Sequence, residues 1–397
     1  MIHIAEEKMC CGCAVCSVVC PVDCIAMVTG TLGAVFPRVD AQRCIRCGKC
    51  ESVCPILHAE ETKNIPDEQL VYAAYSKNPE TRKSGSSGGV FGVIAENLIS
   101  QGYRVYGAAF DENMQLRCIY ANTAEELIPL MKSKYLQSDV SLAYCQIKED
   151  LEQNRSVMFV STPCQVAALK RFLQKDYDKL LCVDFLCHGV PSQLFFDKCK
   201  EYEEKKHRYN MLSYSFRSKI KGGATPHYFT VTTEKNGKTT TTTKPYFHSS
   251  FYAFFQKYIT LRESCYECVF SERGRVSDLT IADFHDIEKY VSDINRFDGV
   301  STVILNTEKG KMLFDSIKDK LWLRQFSMEQ LLNDKVLFSE KTKRPVNRDK
   351  FIEDYENMEF SDFVNHNMDT KRYAIFGVYY KLPKFMRSLV KKLCHIE

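Results

Sequence analysis

The sequences CCGCAVCSVVCP at residues 10–21 and CIRCGKCESVCP at residues 44–55 have the same cysteine spacing. In each, three cysteines recur at every third position, a fourth comes four residues later, and a proline follows it. Three thiolates at this spacing wrap around one iron–sulfur cluster, while the fourth reaches across to the other cluster. We therefore assign Cys10, Cys13, Cys16 and Cys54 to a first cluster and Cys20, Cys44, Cys47 and Cys50 to a second cluster.

Residues 5–57 resemble the bacterial dicluster ferredoxins in these two motifs. The resemblance implies an α+β domain that holds two 4Fe-4S clusters and transfers electrons. Between the motifs, residues 26–28 and 34–36 indicate a small apolar hairpin over the clusters. Cys11 and Cys24 lack ligand spacing, and we interpret both as small buried residues. The alternative is structural zinc, which C-x2-C pairs also bind, but the third and fourth cysteines and the trailing prolines favour clusters.

Length, charge and cysteine content limit the classes of protein to consider. A chain of 397 residues predicts two or three compact units. The balance of 54 basic and 50 acidic residues argues against a nucleic-acid partner. There is no apolar run of about 18 residues to span a bilayer, and the start of the chain lacks the pattern of a secretory signal. We expect a cytoplasmic protein, in which most of the 19 cysteines serve as ligands and not as disulfides.

Ten cysteines precede Pro55 and the next is Cys118, so a domain boundary is predicted after the second motif. We expect a dicluster domain at residues 1–57, a polar linker at 58–70, a larger α/β domain at 71–325 and an extension at 326–397. The larger domain should contain a mixed sheet, interrupted by an antiparallel hairpin that turns at Asn236-Gly237. Apolar runs predict strands at 103–110, 157–161, 180–186, 228–233, 239–243, 279–284 and 300–306, and helical spacing predicts helices at 91–100, 165–173 and 309–321.

From Val71 onward the chain is similar to the beta subunits of the coenzyme F-420 hydrogenase and dehydrogenase family, which are iron–sulfur flavoproteins. The likeness covers about 200 residues, and the matching stretches occur in the same order along the chain as in the family. They are SGSSGGVFG (84–92), KSKYLQS (132–138), STPCQVAALK (161–170), FLCHGVPS (185–192) and CYECVFSERGRVSDLTIADF (265–284).

The first of these stretches is a glycine-rich loop that runs into a helix. Free backbone N–H groups and the positive end of a helix can hold a pyrophosphate, although such a loop is more often only a helix cap. The resemblance implies FAD, and the alternative for Lys134-Tyr135 is a solvated helix end. The residues that the resemblance gives as flavin contacts are Ser86, Ser87, Gly88, Gly89, Ser133, Lys134, Tyr135 and Ser138.

Four further cysteines fall at strand ends and in one loop. Cys164 and Cys187 each follow a predicted strand, at the edge where open α/β sheets bind ligands, and Cys265 and Cys268 form a C-x2-C pair. These four could converge on a third 4Fe-4S cluster, which the family resemblance also implies. The alternative is that each is a structural thiol. We interpret the remaining cysteines in this way, namely Cys118, Cys145, Cys182, Cys199 and Cys394.

One signature departs from the family. Its GDFWG-like motif here reads Ala282-Asp283-Phe284-His285-Asp286, in which only Asp283-Phe284 is kept, so the substrate is unidentified and a deazaflavin coenzyme is one candidate. His188, Asp283 and His285 are candidate proton donors, the alternative being hydrogen-bonded structural residues.

We expect an oxidoreductase that passes electrons between clusters and FAD, served by a redox protein or another low-potential donor and acting on a small molecule. The alternative is an electron-carrier or adaptor subunit without a substrate site.

The C-terminal tail from Lys371 to Glu397 interleaves seven basic residues with aromatic and aliphatic ones. This composition suits peripheral contact with an anionic membrane, here the inner face. The alternative is a helix packed on the protein's own surface, and Gly377 and Pro383 favour it because they interrupt a long amphipathic helix.

Overall fold

The computed structural model places the N-terminal cysteine motifs, the α/β core and a helical C-terminal region. Among the residues it describes, no helix is long and apolar enough to cross a membrane. The described residues are 6–64, 69–219, 227–285, 287–295, 298–332 and 341–368, with the single residues 373, 378, 382 and 386.

The cysteine motifs form a small module with one hairpin and two short helices. Strands β1 (Ile25–Thr29) and β2 (Val35–Val39) pair antiparallel, which confirms the predicted hairpin. Helices α1 (Val15–Val18) and α2 (Lys49–Ser52) carry the third cysteine of each motif. Each helix follows a residue in the left-handed region, so the two motifs turn in the same way.

The rest of the chain contains eleven strands in its described part. They belong to two sheets, one large and mixed and one small and antiparallel. In chain order they are β3 (Leu70–Ser76), β4 (Arg104–Phe110), β5 (Leu116–Ala121), β6 (Val157–Ser161), β7 (Leu180–Phe185), β8 (Asn210–Ser215), β9 (Tyr228–Lys235), β10 (Lys238–Pro245), β11 (Leu279–Asp283), β12 (Ser301–Leu305) and β13 (Leu321–Phe326).

Helices cover the large sheet and continue beyond it. Several of them begin at residues that cap them, such as Asn78, Ser192 and Thr307, whose side chains accept backbone N–H bonds. In chain order they are α3 (Pro79–Ser84), α4 (Val90–Ser100), α5 (Ser141–Glu152), α6 (Pro163–Leu173), α7 (Gln193–His207), α8 (Ser250–Phe255), α9 (Glu308–Asp315), α10 (Met328–Leu332), α11 (Arg348–Asn357) and α12 (Phe360–Asn367).

The large sheet has eight strands in the order β13-β3-β12-β11-β7-β6-β4-β5. Strands β4, β6, β7 and β11 run parallel, whereas β3, β5, β12 and β13 pair antiparallel with their neighbours. The chain is therefore a mixed α/β protein, as predicted. Because the four parallel strands end at the same edge, the loops that follow them meet there.

Side-chain alternation explains why the middle strands are apolar throughout. In β6, Val157 and Phe159 pack under α5 and α6, while Met158 between them packs under α4. In β7, Cys182 likewise faces the first of these cores and Leu181 the other. Strands buried on both faces need apolar residues at every position, which is the pattern that predicted them.

The small sheet consists of β8, β9 and β10. Strands β9 and β10 turn at Asn236-Gly237, where both residues have positive φ (52° and 75°), as a tight hairpin turn requires. The predicted hairpin is thus confirmed, and residues 239–243 form a strand within it. Its inner face packs on an aromatic core shared with α7, α8, α11 and α12.

Several sequence predictions need correction. The helix predicted to reach Leu321 ends at Asp315, and Leu321 instead begins β13. Strands β3 and β5 were not predicted, and β3 starts at Leu70, inside the expected linker. The extension after residue 326 contains α10, α11 and α12. Apart from four single residues, Lys371–Glu397 lies outside the described residues, so the membrane tail stays a prediction.

Candidate cluster and flavin sites

The first four ligands assigned from sequence line one small cavity. Cys10, Cys13, Cys16 and Cys54 are all buried, and the other walls of this cavity are largely apolar. The backbone N–H of Gly12 donates to the Cys10 sulfur at 3.3 Å. Burial raises the pKa of the Cys16 thiol to about 12, so a bound metal is needed to hold it as a thiolate. The donor set and its dry surroundings fit an iron–sulfur cluster.

Only part of the second ligand set, Cys20, Cys44, Cys47 and Cys50, lies together. Cys20, Cys44 and Cys50 gather around Ile25 in one apolar cluster, but Cys47 lies at the exposed tip of its loop. The Cys44 sulfur accepts the backbone N–H of Arg46 at 3.4 Å. Cys24, interpreted as a buried residue, is buried, and its sulfur lies 3.5 Å from that of Cys20. We find three of the four expected ligands grouped and the fourth on the surface.

The four candidate ligands of a third cluster converge. Cys164 is the second residue of α6, Cys187 follows β7 by two residues, and Cys265 and Cys268 lie in the loop before β11. All four line one cavity, together with Cys11. Burial raises the pKa of Cys265 to about 12 and that of Cys268 to about 11, so these thiols also need a metal to ionise. Among the described residues, no three His, Cys, Asp or Glu side chains surround a single ion position.

A buried ion pair holds the Cys265–Cys268 loop against the sheet. Arg275 and Asp184 are 2% and 0% exposed in their side chains, and Nη2 of Arg275 lies 3.0 Å from Oδ1 of Asp184. The same guanidinium donates to the carbonyl oxygens of Phe270 and Phe185. Arg275 therefore ties the loop that carries Cys268 to the strand that precedes Cys187.

The N-terminal module docks through the carbonyl groups of its first motif. Buried Arg262 donates to the carbonyl oxygens of Cys10 (3.0 Å) and Val35 (2.6 Å), and Gln137 donates to those of Cys11 and Gly12, both at 2.9 Å. A Cβ atom on Gly12 would lie 2.2 Å from Nη2 of Arg262, which explains the glycine. These bonds place the first-cluster loop on the larger domain.

Cys11 lies between two of the proposed clusters. It is buried, and it lines both the cavity of the first ligand set, which includes Cys13, and the cavity of the third set, which includes Cys164. Cys13 belongs to the first ligand set and Cys164 to the third. No sequence motif pointed to this position, because the two loops that Cys11 joins are about 150 residues apart.

A third, much larger cavity of about 360 Å³ opens at the carboxyl ends of the parallel strands. The ends of β6, β7 and β11 and the loops after them form its floor, and the N-terminus of α4 forms one side. Such an edge is where open α/β sheets bind cofactors. Seven of the eight predicted flavin contacts line it, namely Ser86, Ser87, Gly89, Ser133, Lys134, Tyr135 and Ser138.

Gly88 is the exception among the predicted contacts. It does not line the cavity, and a Cβ atom there would lie 2.3 Å from the carbonyl oxygen of Ala74 and 2.9 Å from the N atom of Ser301. Close packing against β3 and β12 therefore requires glycine at this position. Gly89 is the N-cap of α4 with φ of 80°, so it also has a conformational reason to be glycine.

Lys134 and Tyr135 turn partly away from solvent. Lys134 Nζ donates to the carbonyl oxygens of Pro129 and Met131, and burial lowers its pKa to about 7. The ring of Tyr135 stacks on Phe255 with centroids 4.6 Å apart. Both residues are thus part of the cavity wall, which differs from the solvated helix end considered as the alternative.

The candidate proton donors all line the large cavity, but two of them are in their proton-accepting forms near neutral pH. Burial alone would raise the pKa of Asp283, yet the charge and hydrogen bond of Arg217 lower it well below its usual range. Asp283 therefore stays ionised, and its prediction as a proton donor does not fit this geometry. Burial, and then the charge of His285, lowers the pKa of His188. At neutral pH His188 is an uncharged imidazole.

Sequence reasoning missed two residues of this cavity. Arg217 follows β8 and reaches back to Asp283 (2.7 Å), to the hydroxyl of Tyr135 (3.2 Å) and to the carbonyl oxygen of Ser86 (3.1 Å). His227 precedes β9, and burial, then Arg217, lowers its pKa to about 4. Neither residue lies in a recognisable motif, since both come from the antiparallel insertion.

The fold and the cysteine motifs define an iron–sulfur protein with a mixed α/β core, and comparison with known proteins agrees. A 4Fe-4S binding domain matches residues 36–60. The N-terminal and C-terminal models of the coenzyme F420 hydrogenase/dehydrogenase beta subunit match residues 71–143 and 154–329. The chain therefore belongs to the family of coenzyme F420 hydrogenase/dehydrogenase beta subunits, joined to a ferredoxin module, as its sequence predicted.

Individual proteins are similar to the chain as well. One component of the F(420)H(2) dehydrogenase of Methanosarcina mazei is 23% identical over 339 residues, which cover 80% of this chain and 85% of that protein. A chain of the F420-reducing [NiFe] hydrogenase complex from Methanosarcina barkeri, studied by xenon derivatization, is 16% identical with a TM-score of 0.42. That match covers 68% of this chain and 87% of the other.

Proposed function

We propose that the chain is an iron–sulfur flavoprotein oxidoreductase. It would pass electrons between three 4Fe-4S clusters and FAD, and so reduce or oxidise a small-molecule substrate. FAD, when bound, would exchange single electrons with the clusters and a hydride with the substrate. The observation that carries this proposal is that the three cavities adjoin one another.

Shared walls link the cavities in one direction. Cys11 and Ile56 line both the first-cluster and the third-cluster cavities. Beyond them, Thr162, Cys187 and Val190 line both the third-cluster cavity and the large cavity. Neighbouring cavities along the path from the first motif to the large cavity are therefore separated by only a few side chains. An electron-carrier subunit without a substrate site would not need the large cavity.

The large cavity offers separate groups to the two ends of FAD. The pyrophosphate would lie at the N-terminus of α4, where backbone N–H groups are free to donate, beside the hydroxyl groups of Ser86 and Ser133. The ring system would lie toward Cys187, between the third-cluster cavity and Tyr135. Uncharged His188 would then accept a proton from the substrate.

A deazaflavin coenzyme is the first substrate to test. The similar protein of Methanosarcina mazei is named as part of an F(420)H(2) dehydrogenase. In this chain, however, Ala282 and His285 replace residues of the family's GDFWG-like signature, and both line the large cavity. If the deazaflavin does not react, the proposed electron path still holds, and the large cavity binds another substrate.

Anaerobic purification tests the cofactors directly. We expect a brown protein with about twelve iron atoms and an equal amount of sulfide, together with about one FAD per chain. Zinc in place of iron would contradict the clusters. Iron without flavin would favour the electron-carrier function, since the large cavity would then lack its cofactor.

Charge at Ser133 tests the position of the pyrophosphate. Its backbone N and its hydroxyl lie 2.6 Å and 3.0 Å from Oγ of Ser86 on the cavity wall. In Ser133→Asp a carboxylate would repel the pyrophosphate, and we expect FAD binding to weaken at least about tenfold. In the control variant Ser133→Asn, asparagine has nearly the same shape as aspartate but no charge, so this variant should retain most of its FAD. Flavin per chain and the Kd for added FAD measure the difference, and equal binding by both variants would place the pyrophosphate elsewhere.

A further inference from the structure

The expected cluster ligands differ sharply in their exposure. The first ligand set is buried under the larger domain, and the third lies half-buried in its own cavity. Cys47, of the second set, is the one exposed residue among the twelve expected ligands. Electron transfer between proteins weakens steeply with distance, so an external carrier must approach where a cluster comes nearest to the surface. That place is the loop around Cys47.

The loop around Cys47 is basic and apolar at its surface. Arg43, Arg46 and Lys49 are all exposed or nearly so, and Ile45 among them is 60% exposed. None of the three cations forms an ion pair with another described residue. Arg43 uses one N–H group, which donates to the carbonyl oxygen of Val22 at 2.8 Å. We call Arg43, Ile45, Arg46 and Lys49 the basic face.

Nearby negative charges do not cancel the basic face. Asp40 is exposed, but one of its carboxylate oxygens accepts the backbone N–H groups of Gln42 and Arg43, so it is directed into the loop. Glu51 is half-buried on α2, and Asp23 is exposed before β1. Residues 41–50 themselves contain three cations and no acidic residue. The cluster itself would be negative, yet its other ligands sit behind the loop. A partner that approaches Cys47 therefore meets three cations around one apolar side chain.

We propose that the basic face is the docking site for an acidic electron-carrier protein. This rests on the proposed function, since it supplies the external partner of the electron path. An exposed apolar side chain ringed by charges suits a small, transient protein interface, in which the charges steer the encounter and the centre excludes water. A membrane surface would attract the same cations. However, a protein carrier also explains why they surround the only exposed ligand among the twelve.

The test uses the full, anaerobically purified chain and an acidic plant-type 2Fe-2S ferredoxin as the probe. The variant Arg43→Glu/Arg46→Glu/Lys49→Glu reverses the basic face. Its matched control is Arg208→Glu/Lys238→Glu/Lys244→Glu, which makes the same change of charge at exposed positions on and beside the small sheet. Titration calorimetry at low and high salt gives the Kd, and iron content shows that both variants keep their clusters.

We expect the wild type to bind the oxidised ferredoxin, with a Kd that rises with salt. Reversal of the basic face should weaken binding at least about tenfold, and the control should change it less than about twofold. Equal effects of the two variants, or no binding by the wild type, would overturn the proposal. A second result would also overturn it: the variant with the reversed basic face still binds ferredoxin but no longer pellets with phosphatidylserine vesicles. Because both partners are oxidised, the measured Kd does not depend on electron transfer to FAD or to the third cluster. Flavin and iron analysis show separately whether FAD and the third cluster are present.

Discussion

Serine in place of Cys268 is expected to remove about four of about twelve iron atoms from each chain, because one four-iron cluster then lacks a thiolate ligand. Cys268 shares a cavity with Cys164, Cys187 and Cys265, and this cavity separates the first cluster from the large cavity. The variant should therefore also lose electron transfer between the N-terminal module and FAD. Iron and sulfide analysis, with the rate of flavin reduction by dithionite-reduced clusters, measures both effects.

Two further variants make this result specific. Cys164→Ser removes a ligand from a different element, α6, and should give the same loss of iron. Cys145→Ser alters an exposed thiol on α5 and should keep all of the iron. Wild-type iron content in both ligand variants would show that the third cluster is absent. Loss of all twelve irons would instead show that the variants had unfolded the N-terminal module.

The grouping of most of the expected cysteine ligands could be predicted because it depends on local spacing, while their role as ligands stays a prediction. Cys10 to Cys20 and Cys44 to Cys54 repeat one pattern, and the pattern itself indicates which thiols share a cluster. The third set is less local, since Cys164, Cys187 and Cys268 come from three separate segments. They could be grouped because each follows a predicted strand or lies in the family's motif, and the strand ends do meet at one edge.

Residues that act through distant contacts could not be predicted in this way. Arg217 reaches the large cavity from the insertion after β8, and Arg262 holds the first-cluster loop from more than 200 residues away. Each is an ordinary arginine in the sequence, and only the tertiary fold gives it partners. Gly88 shows the opposite case, because the family resemblance suggested a flavin contact whereas packing against Ala74 explains the glycine.

The errors in the fold have a similar origin. Strand β3 contains Ala73 and Ala74, which favour strands poorly, and it forms because it lies between β12 and β13 in the sheet. The amphipathic spacing after Lys309 suggested one long helix, but the helix ends at Asp315, and Leu321 at the start of β13 pairs with Ser76 of β3. Tertiary pairing thus overrode local preference near the edge of the sheet, while the buried middle strands were predicted from their apolar runs.

Methionine in place of Arg275 is expected to destabilise the protein by about 3–5 kcal/mol, because it leaves the carboxylate of Asp184 buried without its charge partner. The two side chains are almost fully buried, and the remaining oxygen of Asp184 already has no hydrogen-bond partner among the described residues. The midpoint of thermal unfolding should fall by about 10 °C. The third cluster should become labile as well, since Arg275 bonds the carbonyl oxygen of Phe270 beside the Cys265–Cys268 loop.

The double variant Arg275→Met/Asp184→Leu separates the buried charge from the lost contacts. Replacing both members of a buried pair by apolar side chains of similar volume is often nearly neutral, whereas removing one is costly. We therefore expect the double variant to regain much of the thermal stability that Arg275→Met loses. Its iron content should stay below that of the wild type, because the introduced leucine restores no hydrogen bond to the Cys265–Cys268 loop. Equal stability of the single and double variants would show that the ion pair itself contributes nothing and that Arg275 acts only through its bonds to backbone carbonyl groups.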